Sequence, residues 1–151
     1  MTFYFLLKIL GISFKNGFVF FQINIVRKGE KKMRASRGEI KIEDILRAAN
    51  LNFQEEYSFP DLVSASGRPL RFDFAVFDDN GDLDFLIEFQ GIQHYQPKSK
   101  FGGFEGLRKQ QYNDMQKRRY CKEHGIKLIA IPYVDEGRLD YDYIINLAYS
   151  T

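Results

Sequence analysis

Two carboxylates on neighbouring strands are the residues of this sequence with the clearest chemical potential. The segment RFDFAVFDDNGDLDFLIEFQ, residues 71–90, is typical of two short strands joined at Asn80-Gly81. Asn-Gly favours a type I′ hairpin turn with two central residues. Such a turn pairs residues whose numbers sum to 161 and therefore places Asp73 opposite Glu88, with Cβ atoms about 5 Å apart.

Opposed carboxylates repel each other, so something must neutralise them. Three solutions are open: one carboxyl is protonated with a raised pKa, a basic neighbour such as Arg71 pairs with them, or a divalent cation binds both. Mg²⁺ prefers one or two carboxylates together with waters and a substrate phosphate. A solvated acidic patch is the alternative that needs no function.

The elements that must position these carboxylates follow from the periodicity of the chain. Ser36-Arg37-Gly38-Glu39 is a capping box that predicts a helix start. After that helix the sequence predicts a strand near 53–59, the hairpin strands near 70–77 and 83–89, a helix over 104–124, a strand over 126–133 and a helix over 140–149. The predicted class is one α/β (α+β) domain with a mixed sheet, in the order α-β-β-β-α-β-α. The hairpin face opposite the carboxylates is predicted to join the core through Phe72, Phe74 and Val76.

Several segments accompany the carboxylates at spacings that resemble a known nuclease group. They are SRGEIKIEDIL, SGRPLRFDF, EFQGIQHYQP and LRKQQYNDMQKRRYCKEHGIKLIAIPY. The pattern Asp73 with Glu88-x-Gln90 resembles the PD-(D/E)XK nuclease core, with glutamine where lysine is usual. The whole series, from Met33 to about Tyr133, is similar to very-short-patch-repair endonucleases and closer still to phage homing endonucleases of that fold, whose signature is called EDxHD. The resemblance implies a restriction-endonuclease-like sheet.

The resemblance also implies a catalytic set, in which Glu39, Asp73, His94 and Asp114 take the positions E, D, H and D. Asp73 and Glu88 would hold Mg²⁺ or Mn²⁺. Each assignment has a structural alternative: Glu39 can be only the capping-box carboxylate, and His94 can be structural.

The remaining site residues follow from side-chain chemistry. Asp114 is predicted to face the interior, where its partner is either Lys117 at i+3 or a site histidine. Gln90 cannot act as a general base, which leaves water activation to the metal or to His94. An imidazole titrates near neutral pH and suits proton transfer.

A basic stretch follows the hairpin. Residues 98–127 hold nine Lys and Arg against Glu105, Asp114 and Glu123. A basic stretch beside an acidic site is typical of a protein that meets a polyanion and binds a cation. Contacts to DNA phosphates are expected from Lys98, Lys100, Arg108, Lys109, Lys117, Arg118, Arg119 and Lys122, and a solvated helix face is the alternative.

Residues 1–32 differ from the remainder in composition. They are apolar but interrupted by Lys8 and Lys15, which disfavours a membrane span, and no membrane partner is expected. Lys28-Gly29-Glu30 can be encoded by a bacterial ribosome-binding sequence a few codons before Met33. We therefore interpret residues 1–32 as a loosely packed upstream extension and 33–151 as the nuclease domain, with a weak membrane anchor or an added strand as the alternative.

The predicted function is that of a Mg²⁺-dependent endonuclease acting on double-stranded DNA, of the free-standing phage or mobile-element homing type. A mismatch- or structure-specific repair nuclease and a non-catalytic DNA-binding module with a degenerate site are the alternatives; Gln90 in place of lysine keeps the last one open. Specificity is expected from loops such as 97–103 or from a homodimer. The single cysteine, Cys121, excludes an internal disulfide and favours a reducing compartment, here the cytoplasm of a bacterial host.

Overall fold

The computed structural model describes residues 35–150 together with two short strands before them. The chain divides into two units, Met1–Met33 and Arg34–Thr151. In the first unit β1 (Ile12–Lys15) pairs antiparallel with β2 (Phe18–Phe21). Apart from these two strands, residues 1–32 lie outside the described part of the chain, and so does the expectation that they pack loosely.

A shortened chain that begins at Met33 is expected to fold. Residues beyond position 41 form the two buried clusters of the described part of the chain, and burial of this apolar surface is the main force that favours folding. Thermal unfolding followed by circular dichroism should stay cooperative in the shortened chain. Loss of the cooperative transition would show that residues 1–32 are part of the fold.

The second unit has the predicted order of elements around a four-stranded mixed sheet. Its elements are α1 (Arg37–Ala48), β3 (Asn52–Val63), β4 (Pro69–Phe77), β5 (Leu83–Gln90), α2 (Gly103–Glu123), β6 (Lys127–Pro132) and α3 (Tyr141–Tyr149). The sheet order is β3-β4-β5-β6, antiparallel except for the parallel pair β5 and β6. Strand β3 is longer than predicted and runs through Pro60, which an edge strand tolerates. No helix in the described part of the chain is long and apolar enough to cross a membrane.

Helices cover both faces of this sheet. One buried cluster packs α1 and α3 against it and contains Ile42, Leu46, Phe74, Val76, Phe85, Ile87, Phe89, Ile129, Ile131, Leu139, Ile144 and Ala148. The other lies beneath α2 and contains Leu62, Leu70, Phe72, Ala75, Leu86 and Cys121. Neighbouring residues of a strand point to opposite faces, so these clusters form two layers separated by the sheet. Residues on the α2 side of β5 therefore meet the side chains of the long helix.

The hairpin turn differs from the prediction. The N–H of Gly81 donates to the carbonyl of Asp78 at 2.9 Å, and Gly81 has a left-handed φ of 81°. The connection is therefore a three-residue loop that ends in glycine, not a two-residue type I′ turn. The Asp78 side chain explains the difference, because its Oδ1 accepts the N–H groups of Asn80 and Asp82 at 2.9 Å each.

A bulge in β5 nevertheless restores the predicted register. Phe77 pairs with Leu83, whereas Val76 pairs with Phe85, so Asp84 is an extra residue on its strand. From Val76 back to Phe74, paired residues sum to 161 as predicted. The predicted register is correct from Phe74 to Val76 and wrong at Phe77, which pairs with Leu83 and not with Asp84; the predicted pair of Asp73 with Glu88 lies beyond the end of the observed ladder and stays a prediction.

The prediction that Phe72 shares a face with Phe74 is wrong. Phe72 belongs to the cluster under α2, whereas Phe74 belongs to the opposite cluster. Between the pairs that these two residues form with β3 lies Glu56, whose φ of 53° is left-handed. This irregular backbone interrupts the alternation of side chains next to Asp73.

Candidate active site

Asp73 lies where the ladder between β4 and β5 ends. The last recorded pair is Phe74 with Ile87, and beyond it Asp73 Oδ2 accepts the N–H of Phe89 at 2.6 Å. Burial raises the pKa of Asp73 to about 6, even though the Phe89 hydrogen bond acts to lower it. The negative charge of Glu39 raises it further. Asp73 is therefore a partly dehydrated carboxylate held at the gap between two strands.

Glu88 is buried on the α2 side of the sheet. Its Oε1 accepts a hydrogen bond from Lys117 Nζ at 2.6 Å. Burial raises the pKa of Glu88 to about 8; the Lys117 charge opposes this shift, and the charge of Asp73 adds to it. The two carboxylates are thus electrostatically coupled, as the register predicted, and each is more difficult to ionise than in water.

Lys117 is not a phosphate-contacting surface residue, contrary to the prediction. It is 8% exposed and shares the buried stripe of α2 with Asp114 and Cys121. The alternative in which it pairs with Asp114 is also wrong, because its ammonium bonds Glu88 across the layer. Its position three residues after Asp114 places Lys117 on the same inward face of α2, but helical spacing cannot identify the strand residue that Lys117 meets.

His94 and Asp114 form a buried pair. The single turn of 3₁₀ helix at Ile92–His94 directs His94 toward α2, where its Nδ1 lies 2.8 Å from Asp114 Oδ2. A carboxylate only accepts hydrogen bonds, so we assign Nδ1 as the donor to Asp114, which leaves Nε2 as the nitrogen that faces Gln110. Gln110 Nε2 lies 3.3 Å from that Nε2 and 3.4 Å from Asp114 Oδ1. The expectation that Asp114 meets a site histidine is confirmed.

Gln90 is held by a residue that the sequence reasoning missed. The Tyr95 hydroxyl donates to Gln90 Oε1 at 2.6 Å, and Gln90 is 8% exposed. Tyr95 also contacts the ring of Tyr133 at 5.8 Å between centroids. The aromatic residue directly after His94 was the available signal for Tyr95, but an aromatic at that place does not by itself predict a partner.

Glu39 occupies the capping position and also influences the site. The N–H of Glu39 donates to Ser36 Oγ at 3.3 Å, and Ser36 Oγ lies 2.6 Å from Glu39 Oε1, so the capping role is confirmed. Gly38 lets the start of α1 lie against the end of β5, since a Cβ at this position would stand 2.1 Å from the Phe89 ring. The same close approach brings the Glu39 charge near Asp73, whose pKa it raises.

A cavity of about 600 Å³ opens beside His94 and Asp114, and neither Asp73 nor Glu88 lines it. Its wall includes Gln90, His94, Tyr95, Asp114 and, toward solvent, Arg118, Arg119 and Lys122. Three of the expected phosphate-contacting residues are therefore brought to the site. Arg119 also pairs with the exposed Glu123 at 2.7 Å, an interaction that solvent weakens.

The other expected phosphate-contacting residues lie elsewhere. Lys98 and Lys109 line a separate cavity of about 230 Å³ next to the start of α2. Lys100 and Arg108 are exposed and line neither cavity. The basic residues thus form two groups along α2 and the loop before it.

The carboxylates suit a hard cation such as Mg²⁺ or Mn²⁺ better than a soft, thiolate-preferring metal. The described residues contain no group of three or more His, Cys, Asp and Glu side chains that could hold a metal ion. Asp73 and Glu88 offer oxygen donors only, and Mg²⁺ accepts one or two carboxylates when waters and phosphate oxygens complete its shell. Two dehydrated, mutually repelling carboxylates fit that requirement.

Parts of this chain are similar to three proteins from viruses. It is 51% identical over 53 residues to "Uncharacterized protein 094L" of Frog virus 3 (isolate Goorha), 35% identical over 88 residues to "Uncharacterized protein 307L" of Invertebrate iridescent virus 6, and 38% identical over 75 residues to "Uncharacterized protein 033L" of Invertebrate iridescent virus 3. These matches cover 34%, 56% and 46% of this chain. The chain spans 34%, 45% and 39% of the length of these relatives, less than half in each case. No family model matches the chain, and no solved structure matches it.

Proposed function

We propose that this protein is a metal-dependent endonuclease that hydrolyses phosphodiester bonds of double-stranded DNA. The observation that carries the proposal is the convergence of two coupled pairs. The half-buried Asp73 is coupled to the buried Glu88, and the charge of Asp114, which bonds His94, also raises the pKa of Glu88. Perturbed carboxyl groups beside a cavity are typical of functional sites.

Asp73 and Glu88 are assigned to hold Mg²⁺ or Mn²⁺. When bound, such an ion polarises a phosphate oxygen and lowers the pKa of a coordinated water. The Phe89 N–H fixes Asp73 Oδ2, and Lys117 fixes Glu88 Oε1. Each carboxylate is thus held in one orientation and keeps a second oxygen that can serve as a ligand.

His94 is assigned to proton transfer at Nε2. The Asp114 carboxylate holds the proton on Nδ1 and stabilises the imidazolium after a proton has been taken up. The Tyr95 hydroxyl donates to the amide oxygen of Gln90, and an amide acts neither as an acid nor as a base near neutral pH. Because Asp73 and Glu88 are assigned to the metal, the imidazole of His94 is assigned to proton transfer.

The basic wall of the cavity is assigned to the DNA backbone. Arg118 and Lys122 lie one turn apart on α2, Arg119 follows Arg118, and all three are exposed and line the cavity beside His94. Contacts from such residues to phosphates position a duplex without reading its sequence, and they weaken with added salt.

The biological setting that we propose is a free-standing homing endonuclease of a virus or another mobile element. The similarity to proteins encoded by viruses supports this setting. A repair nuclease that acts on mismatches remains the second candidate, because the same pairs would serve it equally well.

Purified protein with Mg²⁺ and defined linear duplexes tests the proposal and separates the candidates. We expect cleavage of the fully paired duplex, taken from DNA around its own gene, to give ends that carry a 5′-phosphate. Cleavage confined to mismatched duplexes would favour the repair enzyme. Binding of DNA without cleavage, over a range of Mg²⁺ and Mn²⁺ concentrations, would contradict the enzymatic proposal and favour a DNA-binding module.

A further inference from the structure

Lys117 is a buried cation of the site, and its ammonium holds Glu88. Its Nζ lies 2.6 Å from Glu88 Oε1 and 5.3 Å from the centre of the Phe72 ring. Its charge reaches both carboxylates, since it lowers the pKa of Glu88 and also that of Asp73. The side chain therefore stands against the same pair of acids that is assigned to the metal.

Stability alone is a weak reason for this arrangement. Removing a lysine and a glutamate from water costs free energy that their attraction often fails to recover, and an apolar pair of similar volume is commonly as stable. A neutral residue, Gln90, stands two positions after Glu88, and its amide oxygen is taken by Tyr95. The positive charge of the described site comes instead from α2.

We propose that Lys117 is a fixed cation that positions Glu88 and limits how tightly the two carboxylates bind a divalent ion before DNA arrives. The ammonium holds one oxygen of Glu88 and repels any second cation close to it. A DNA phosphate brings negative charge that offsets this repulsion. Metal binding should therefore be weak in the free protein and stronger in the presence of DNA.

The inference makes a prediction that a purely structural role does not. Loss of Lys117 removes its repulsion of any cation that binds Glu88. A divalent ion carries twice the charge of a competing proton, so its binding free energy improves by about twice as much. Metal affinity in the free protein should then rise, even if Glu88 binds a proton more tightly as well. A lysine that merely supported the fold would, when lost, weaken metal binding and cleavage together.

The experiment is a calorimetric titration of the full chain with Mn²⁺ in the absence of DNA. Lys117→Met should bind Mn²⁺ at least about tenfold more tightly than the parent. Lys127→Met is the matched control, because it removes the same charge from an exposed lysine at the start of β6 whose recorded bond is to the Ser150 carbonyl, and it should leave the affinity unchanged. Unchanged or weaker Mn²⁺ binding by a folded Lys117→Met protein would overturn the inference.

Two further variants keep the test decisive. Lys117→Gln retains an amide donor for Glu88 without the charge, and it should change the affinity in the same direction if Lys117→Met does not fold. In the Glu88→Gln background the gain in affinity from Lys117→Met should be smaller than in the parent, because only Asp73 then remains as a charged ligand; a gain of the same size would contradict the involvement of Glu88.

The cleavage part of the inference rests on the proposed function, but the metal-binding part does not. Cleavage at saturating Mn²⁺ should fall at least about tenfold in Lys117→Met, opposite in direction to the change in affinity. If the parent never cuts DNA while Lys117→Met still binds Mn²⁺ more tightly, the nuclease proposal fails and the role of Lys117 in metal binding stands. If the parent cuts DNA and the affinity does not rise, the role of Lys117 alone fails.

Discussion

Replacing Asp73 with asparagine is expected to lower metal-dependent DNA cleavage by at least about 10³-fold while leaving DNA binding largely intact. Asparagine keeps the size of the side chain and an oxygen that can accept the Phe89 N–H, but it removes one of the two metal-ligand charges. The loss of a negative charge near the DNA should, if anything, favour association. Binding is to be measured by fluorescence anisotropy with chelator present, so that the parent does not cut the probe.

The same variant should be more stable than the parent in the absence of metal, and the difference should depend on pH. The folded pKa of Asp73 is raised to about 6, so this carboxyl contributes stability that is present below its unfolded pKa and is lost as the pH rises through 6. Asparagine has no proton to lose. The difference in the free energy of unfolding should be near zero at pH 3.5 and on the order of 2 kcal/mol in favour of the variant at pH 7.

Urea unfolding across that pH range provides the measurement. Asp79→Asn is the matched control, because Asp79 is an exposed residue in the loop of the same hairpin. The control should behave as the parent in cleavage and in stability. An Asp73→Asn protein that is less stable than the parent at pH 7 would contradict the dehydrated, repelled carboxylate described here.

Replacing His94 with alanine is expected to slow cleavage by about 10²–10⁴-fold, as for loss of a general acid or base. The physical reason is that Nε2 is the proton-transferring atom and Asp114 fixes the proton on Nδ1. Single-turnover cleavage rates give the effect. The exposed His124, which stacks on Tyr120 near the end of α2, supplies the control variant His124→Ala, which should cut like the parent.

Metal affinity separates this role from that of a metal ligand. His94→Ala should bind Mn²⁺ as the parent does, whereas Asp73→Asn should bind it much more weakly. A His94→Ala protein that cuts at the parental rate would remove His94 from the mechanism. Loss of Mn²⁺ binding in that variant would make His94 a ligand and not a proton carrier.

The sequence predicted the elements of the second unit because local signals there agree with each other. The capping box at Ser36 and the strand patterns on either side of Asn80-Gly81 each correspond to an observed element. The turn itself was wrong because the Asp78 side chain stabilises a longer loop, which the Asn-Gly pair does not reveal. A compensating bulge at Asp84 then restored the predicted register from Phe74 to Val76, next to Asp73.

The partners of the buried charges were less accessible to sequence reasoning. The prediction that Asp114 faces the interior is confirmed, but Asp114 and Lys117 have different partners across the layer, His94 and Glu88. Helical spacing reports direction on one element and contains no information about which strand residue lies opposite. Phe72 lies on the face opposite to the predicted one, which spacing along its own strand could not show either. Its orientation depends on the unusual backbone of Glu56 on the neighbouring strand.

Cleavage of supercoiled plasmid by the parent and by Asp73→Asn, each with Mg²⁺ and with excess chelator, tests the central claim most directly. The claim is that this protein hydrolyses DNA with a divalent ion held by Asp73 and Glu88. It predicts nicked or linear plasmid from the parent with Mg²⁺ and intact plasmid in the other three reactions, at protein concentrations that saturate the DNA. An Asp73→Asn protein that cuts the plasmid at the parental rate would contradict the claim.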